Sequence, residues 1–315
     1  VATGAMFEPI TVRTNLRGDL AVVSVPLQGT GTDAAAERAL AVLRDQVIPR
    51  TVGAIPGAAV HVSGAVSEAE FMKLHELRSG AAPELHGTDV DVAGAKGYLA
   101  LPAGARPPLA GIVVIHEWWG LNDHVKHWTD RLAAEGYAAL AIDLYGGVVA
   151  TTPDAALAAM KNVDADAARA KLVAARRFLA EDARVRAAKT GCIGWCFGGS
   201  QSLALALAEP KLDACVLYYG SQLATEPEKL AGLHAPILAI FGSRDASIPQ
   251  EKVKAFDAAL TAAGKEHAIH VYDAEHAFAN PSNPKYDAVH AADAWEHVRA
   301  FFAQHLATGA HARGG

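Results

Sequence analysis

Cysteine is scarce in this chain. Three residues, Cys192, Cys196 and Cys215, stand in a sequence of 315. So few, and an odd number, exclude a disulfide framework as the source of stability. They suit a reducing compartment, and the expected localisation is cytoplasmic. An excess of positive charge is also missing: 28 Lys and Arg face 34 Asp and Glu, for a formal net charge of -6. With no basic run, nucleic acid and anionic membrane surfaces are not expected as partners. No apolar run reaches the roughly 20 residues that a spanning helix needs. Residues 1–10 lack the basic-then-apolar order of a secretory signal. A zinc helix is absent as well. His116-Glu117 starts like HExxH, but Gly120 stands where the second histidine would be. No metal and no cofactor is therefore expected. There is no internal repeat, no low-complexity tract, and no motif that specifies an oligomeric state.

What is present is a chain with 51% hydrophobic residues, enough for one large α/β core and something smaller. Residues 1–80 read as an N-terminal extension with a βαβ-like pattern. A strand is expected over 20–26, a helix over 34–47 and a second strand over 58–63. The runs Val22 to Pro26, Leu43 to Pro49 and Val52 to Ala58 weakly resemble a fragment of the porter domain of lipid-exporting transporters. With no membrane helix beside it, that resemblance implies no transport. The extension is expected to leave the chemistry untouched, and Met72 would serve as a start for a self-sufficient enzyme. Gly80 to Pro83 reads as a linker.

From residue 81 to 306 the pattern is that of a second domain, and 307–315 reads as a flexible tail. A hairpin over 89–101 comes first. Strands expected over 111–116, 137–143, 190–195, 214–218, 236–241 and 267–272 then alternate with helices over 123–135, 155–160, 164–180, 199–208, 249–263 and 286–302. Short apolar strands alternating with helices imply a mostly parallel sheet with helices on both faces. Sites in such sheets lie at the carboxyl ends of the strands.

Three of those ends carry suggestive residues. Gly194-Trp195-Cys196-Phe197-Gly198 has the form of a nucleophile elbow, with sulfur in place of the serine oxygen. Small residues on either side suit a tight strand-to-helix turn, and the following helix turns its positive end toward a thiolate. Asp245 falls just past the strand 236–241, and His276 just past 267–272. Each has a plainer role open to it: Cys196 as a buried structural thiol, Asp245 as a helix cap, His276 as a loop histidine. Together they follow the chain order nucleophile, acid, histidine of the α/β-hydrolases, which is the expected fold. A papain-type order would place an Asn after the His and does not fit. In this order His276 takes the thiol proton and Asp245 holds the imidazole in the useful tautomer. The oxyanion hole would use the backbone N–H groups of Trp118, after the first parallel strand, and of Phe197, after the nucleophile. Glu117, a charged residue ending an apolar strand, reads as a site residue.

Glu117 with Gly120 and Asn122, Asp143-Leu144-Tyr145, Gly194 to Gly199, Gly242-Ser243-Arg244-Asp245 and Glu275-His276-Ala277-Phe278 together resemble the dienelactone hydrolase family over residues 85–305. The resemblance implies an α/β-hydrolase with a Cys-Asp-His triad acting on lactones and esters through an acyl-thioester. It also implies that Glu117 is a thiol switch, holding Cys196 at rest until substrate displaces it. Degradative members bind a substrate carboxylate with two arginines. Here Gly147 and Asn280 stand at those positions, so the pocket, lined by Trp118, Trp119, Tyr145, Phe278 and Asn280, is expected to be neutral and aromatic, with core packing an equal alternative for each aromatic. Such a pocket suits small-molecule aryl esters or lactones, and a phosphotriester whose phosphoryl oxygen would enter the same oxyanion hole. Two competitors stand beside this reading. One is a non-catalytic ligand-binding module on the same fold. The other is a redox pair of Cys192 and Cys196, which a strand would hold about 13 Å apart, beyond disulfide reach.

Overall fold

The computed structural model describes residues 11–14, 21–24, 34–48, 50–51 and 84–307. The chain divides into two compact units, 1–73 and 74–315. In the first, β1 (Thr11–Thr14) pairs antiparallel with β2 (Ala21–Ser24). The helix α1 (Ala34–Val42) then continues into a π-helical turn over Leu43–Val47. The helix expected over 34–47 is thus present with its last turn widened. The strand β1 is an addition to the expected pattern. The second strand expected at 58–63 and the linker at 80–83 lie outside the described residues.

The second unit opens with the antiparallel hairpin β3 (Thr88–Val92) and β4 (Ala95–Ala100). Its two-residue turn, Ala93-Gly94, has φ of 52° and 84°. Positive φ at both central positions is what the right-handed strand twist demands of so short a loop. Then follow β5 (Ala110–Ile115), α2 (Asp123–Ala134), β6 (Ala138–Ile142), α3 (Pro153–Lys161), α4 (Ala165–Glu181), β7 (Lys189–Trp195), α5 (Phe197–Ala208), β8 (Ala214–Tyr218), β9 (Ile237–Gly242), α6 (Gln250–Ala262), β10 (His267–Tyr272) and α7 (Ala288–His305). The strands form one sheet of eight in the order β10-β9-β8-β7-β5-β6-β4-β3. The six from β10 to β6 run parallel, and β4 and β3 close the sheet antiparallel.

The burial of the strands explains the layering. Every residue of β5, β6, β8 and β9 is buried. Successive side chains on a strand point to opposite faces. Both faces of the central sheet are therefore covered, which the apolar, β-branched runs require. The edge strand β10 is only partly buried. Helix starts follow local capping chemistry. Asn122 accepts from the Val125 N–H at 3.1 Å to start α2, and Asp164 from Ala167 at 2.7 Å to start α4. Asp287 accepts from Val289 and His290, both at 3.1 Å, which sets α7 two residues later than the apolar pattern suggests. Gly136, at φ 99°, stops the chain turning beyond α2, as expected for a C-terminal glycine.

One buried anion fixes how the unit begins. The Asp130 carboxylate on α2 accepts from the Tyr98 hydroxyl at 2.9 and 3.0 Å, from the His86 N–H at 2.9 Å and from the Gly87 N–H at 3.1 Å. The segment entering β3 is thereby tied to the helix layer. Burial, with the Asp130 hydrogen bond, pushes the Tyr98 phenol up to about 12.

Candidate active site

The six parallel strands place their carboxyl ends side by side, and each end delivers a residue to one locus. From β10 to β6 these are His276, Asp245, Tyr219, Cys196, Glu117 and Tyr145. The turn after β7 is the tightest of them. Cys196 adopts φ 56° and ψ -115°, and α5 starts on the next residue, Phe197. The helix expected from residue 199 therefore begins two residues earlier. A β-carbon on Gly194 would lie 2.2 Å from the Gly198 carbonyl oxygen, and one on Gly198 would lie 2.3 Å from that of Ile115. No side chain fits in either gap, which accounts for the Gly-x-Cys-x-Gly spacing. Cys196 occupies the cap position of α5 without using its side chain as a cap. Its thiol, half-buried, is left to other partners.

Its charged neighbour is His276, close enough for the two side chains to interact electrostatically. The His276 Nδ1 lies 2.5 Å from Asp245 Oδ2. Both residues are buried, His276 4% and Asp245 5% exposed. Burial opposes the imidazolium, but the Asp245 carboxylate and the charge of Cys196 outweigh it and raise His276 well above its ordinary value. Burial likewise opposes ionised Asp245, yet His276 and Ser247 hold its carboxyl below the usual range. Ser247 is a member that the sequence reading missed. Its hydroxyl donates to Asp245 Oδ1 at 2.5 Å, its N–H reaches the same oxygen at 2.8 Å, and its Oγ lies 3.2 Å from His276 Nδ1. Gly242 lets the two loops meet, since a β-carbon there would fall 2.3 Å from the Ala274 carbonyl oxygen.

Glu117 follows β5. Its Oε2 accepts a hydrogen bond from Asn280 Nδ2, and its Oε1 is fully enclosed. Asn280 is itself held: its Oδ1 accepts from the Ser282 N–H at 2.8 Å and hydroxyl at 2.6 Å. Burial raises the Glu117 carboxyl to about 7, although His276 and Asn280 both pull it down. The hydrogen bond described thus pairs Glu117 with Asn280. His116, beside it, is fully buried and neutral. Its Nδ1 lies 2.6 Å from the Glu117 carbonyl oxygen, and its Nε2 accepts from the Leu144 N–H at 3.1 Å. Burial lowers it to about 4.

The aromatic residues expected to line a pocket are all well buried. Trp118 and Trp119 meet edge to face at 5.1 Å, and the Trp119 carbonyl oxygen accepts from the Ala150 N–H at 2.9 Å. Tyr145 packs on His116 and Phe197, with ring centroids 4.6 and 5.4 Å apart. Phe278 is 0% exposed between Tyr219 and Tyr272, so it supports the His276 loop from within the core. Gly147 takes φ 92°, and the exposed Lys96 ammonium lies 3.1 Å from where its β-carbon would be. The Phe197 N–H is one of the first-turn amides that helix geometry leaves without an intrahelical acceptor. Cys192 and Cys215 face each other across β7 and β8, buried, and all three cysteines are unbridged. Among the described residues, no cluster of three or more His, Cys, Asp or Glu could hold a metal ion.

An eight-stranded, mostly parallel sheet with a strained Cys turn, an acid and a histidine at successive strand ends defines an α/β-hydrolase. The family assignment is narrower. The dienelactone hydrolase family profile matches residues 95–306, and the chain belongs to that family. It is a hydrolase of ester or lactone bonds. A protein of Escherichia coli K12, named provisionally as a carboxymethylenebutenolidase, is 32% identical over 234 residues, covering 66% of this chain and 82% of its own. Protein usf of Aquifex pyrophilus is 34% identical over 220 residues, covering 67% and 94%. Among solved structures, the dienelactone hydrolase-like promiscuous phosphotriesterase P91 from metagenomic libraries superposes with a TM-score of 0.62 at 27% identity, covering 70% of this chain and 98% of its own. At that identity P91 is a relative and a different protein.

Proposed function

We propose that the chain hydrolyses uncharged esters or lactones through a thioester on Cys196. The observation that supports this is His276 held by Asp245 at 2.5 Å and raised by the charge of the nearby Cys196 at the elbow. The Cys196 thiolate, whose proton His276 has already taken, attacks the carbonyl carbon. The carbonyl oxygen, now an anion, accepts from the N–H groups of Trp118 and Phe197. Collapse breaks the C–O bond, and His276 returns the proton to the leaving alkoxide. A water then gives its proton to His276 and attacks the thioester, releasing the acid and the thiol. A phosphotriester is a second substrate class, favoured by the likeness to P91, a promiscuous phosphotriesterase. The three unbridged thiols support a reducing compartment, taken to be the cytoplasm, and no described helix is long and apolar enough to cross a membrane.

The test is a panel of neutral aryl esters, carboxylated lactones and phosphotriesters ranked by kcat/KM. Neutral esters are expected to lead. The carboxylated arm matters because Lys96 sits over Gly147, and a strong preference for it would overturn the neutral-pocket reading. Ligand binding without turnover across the panel would favour a non-catalytic module.

Glu117 is proposed to restrain Cys196 by its charge. Above its raised value of about 7 it is an anion, and a like charge opposes the thiolate. Below that value it is neutral, as a glutamine is. Glu117→Gln is therefore expected to speed alkylation of Cys196 by iodoacetamide above about pH 8, and to match the parent below about pH 6. Parallel profiles across that range would contradict the restraint.

A further inference from the structure

Two tyrosines at this locus have no role in the steps above. Tyr219 directly follows β8 and is 0% exposed. Its ring lies 5.0 Å from that of His276. Tyr145 follows β6, is 9% exposed, and lies against Phe197, the residue after Cys196. Neither hydroxyl has a hydrogen-bond partner among the described residues. A buried hydroxyl left unpaired costs about 1–3 kcal/mol, so two at one site call for an explanation.

Tyr219 also has an unusual backbone. Its φ is 36°, a region that a bulky side chain seldom adopts. Its N–H is fixed to the Ile240 carbonyl oxygen at 2.7 Å. A β-carbon on the following Gly220 would lie 2.7 Å from the Gly199 carbonyl carbon, so the strand end is wedged against α5. Other non-glycine residues at positive φ include Cys196 and Ala277, the latter beside His276. Strain of this kind persists where surroundings over-determine it and gathers at functional sites. The two phenols flank the Cys196 strand end from opposite sides in the sheet order, β8 on one side and β6 beyond β5 on the other. Both feel the charge of Cys196, and burial keeps both neutral, so each is held as a donor. A phenol donates a hydrogen bond without bringing a positive charge, so the pair suits a neutral acceptor where lysine or arginine would suit an anion.

We propose that the Tyr145 and Tyr219 hydroxyls form a polar subsite that receives a neutral acceptor oxygen carried by the substrate next to the bond being cleaved. This rests on the ester hydrolase reading and specifies its substrate: an ester or lactone bearing an alkoxy or hydroxy oxygen close to the scissile carbonyl. A simple alkyl ester of the same shape leaves the phenols unpaired in the complex.

The test compares phenyl methoxyacetate with phenyl butyrate, which differ by one oxygen in place of a methylene. Each kcat/KM is divided by the rate constant for hydroxide-catalysed hydrolysis of the same ester. The parent enzyme is expected to favour the methoxyacetate by about tenfold after that correction. Tyr219→Phe and Tyr145→Phe are each expected to reduce the ratio severalfold. Structural damage or loss of an internal water lowers both substrates together, so an unchanged ratio in both variants would overturn the subsite. A corrected ratio near one in the parent would also overturn it. Turnover of neither ester would contradict the hydrolase reading and remove the subsite with it.

Discussion

Cys196→Ala is expected to lower kcat/KM for a neutral aryl ester by at least about 10³-fold, toward the level of binding and oxyanion stabilisation alone. The fold should survive. Cys196 caps α5 without a side-chain hydrogen bond, so the substitution removes no cap. Its φ of 56° is set by the elbow, and alanine has no larger β-carbon to accommodate there than cysteine has. The sulfur is only half-buried, so little packing is lost. Near-ultraviolet dichroism and the thermal midpoint should therefore match the parent while turnover vanishes. Retained turnover would sink the covalent mechanism. Loss of both fold and turnover is not expected, and the dichroism would reveal it.

Asp245→Asn is expected to have an effect of about 10³–10⁴-fold on kcat/KM, for a different reason. Asp245 Oδ2 is 2.5 Å from His276 Nδ1 and fixes which ring nitrogen carries the proton. An amide of the same shape can present its NH₂ to Nδ1, which stabilises the opposite tautomer and turns a proton toward Cys196. It also removes the negative charge that raises His276. The imidazolium that supports the thiolate is then lost. Iodoacetamide labelling of Cys196 should accordingly slow along with turnover. Ser247 still donates to the remaining oxygen, so the loop should hold its place. A loss of less than about tenfold would show that Asp245 serves only as a structural residue of that loop.

Much of this locus was readable from the sequence because each key residue closes an apolar strand. Val113 to Glu117 and Ile193 to Cys196 are buried or half-buried runs that end on a polar or reactive group, Ile240 to Gly242 is a buried run with Asp245 three residues on, and the sheet then aligns those ends. The ends of β7 and β9 stand out in the sequence for that reason, whereas β10, ahead of His276, is only partly buried. The rest depends on what periodicity does not carry. Phe197 and Gly198 fall before the helix read at 199–208, yet α5 already includes them, and the missing side chains of Gly198 and Gly199 let it approach Ile115 and Tyr218. Tyr219 falls just past the strand read at 214–218, and nothing in its type announces a positive φ. Asn280 was legible only as a missing arginine. Its bond to Glu117 joins positions 163 residues apart and needed the fold. Ser247 belongs to no motif in the sequence, and its bonds to Asp245 depend on the conformation of the loop. Phe278 showed how little a sequence says about which aromatics face a substrate and which fill the core.

The covalent role of Cys196 is tested most directly by mass. The enzyme is mixed with an activated aryl ester, quenched in acid during steady state and digested. The expected result is one added acyl group, on the peptide containing Cys196, absent from Cys196→Ala. An acyl group on another residue, or turnover in Cys196→Ala, would contradict a thioester at the elbow.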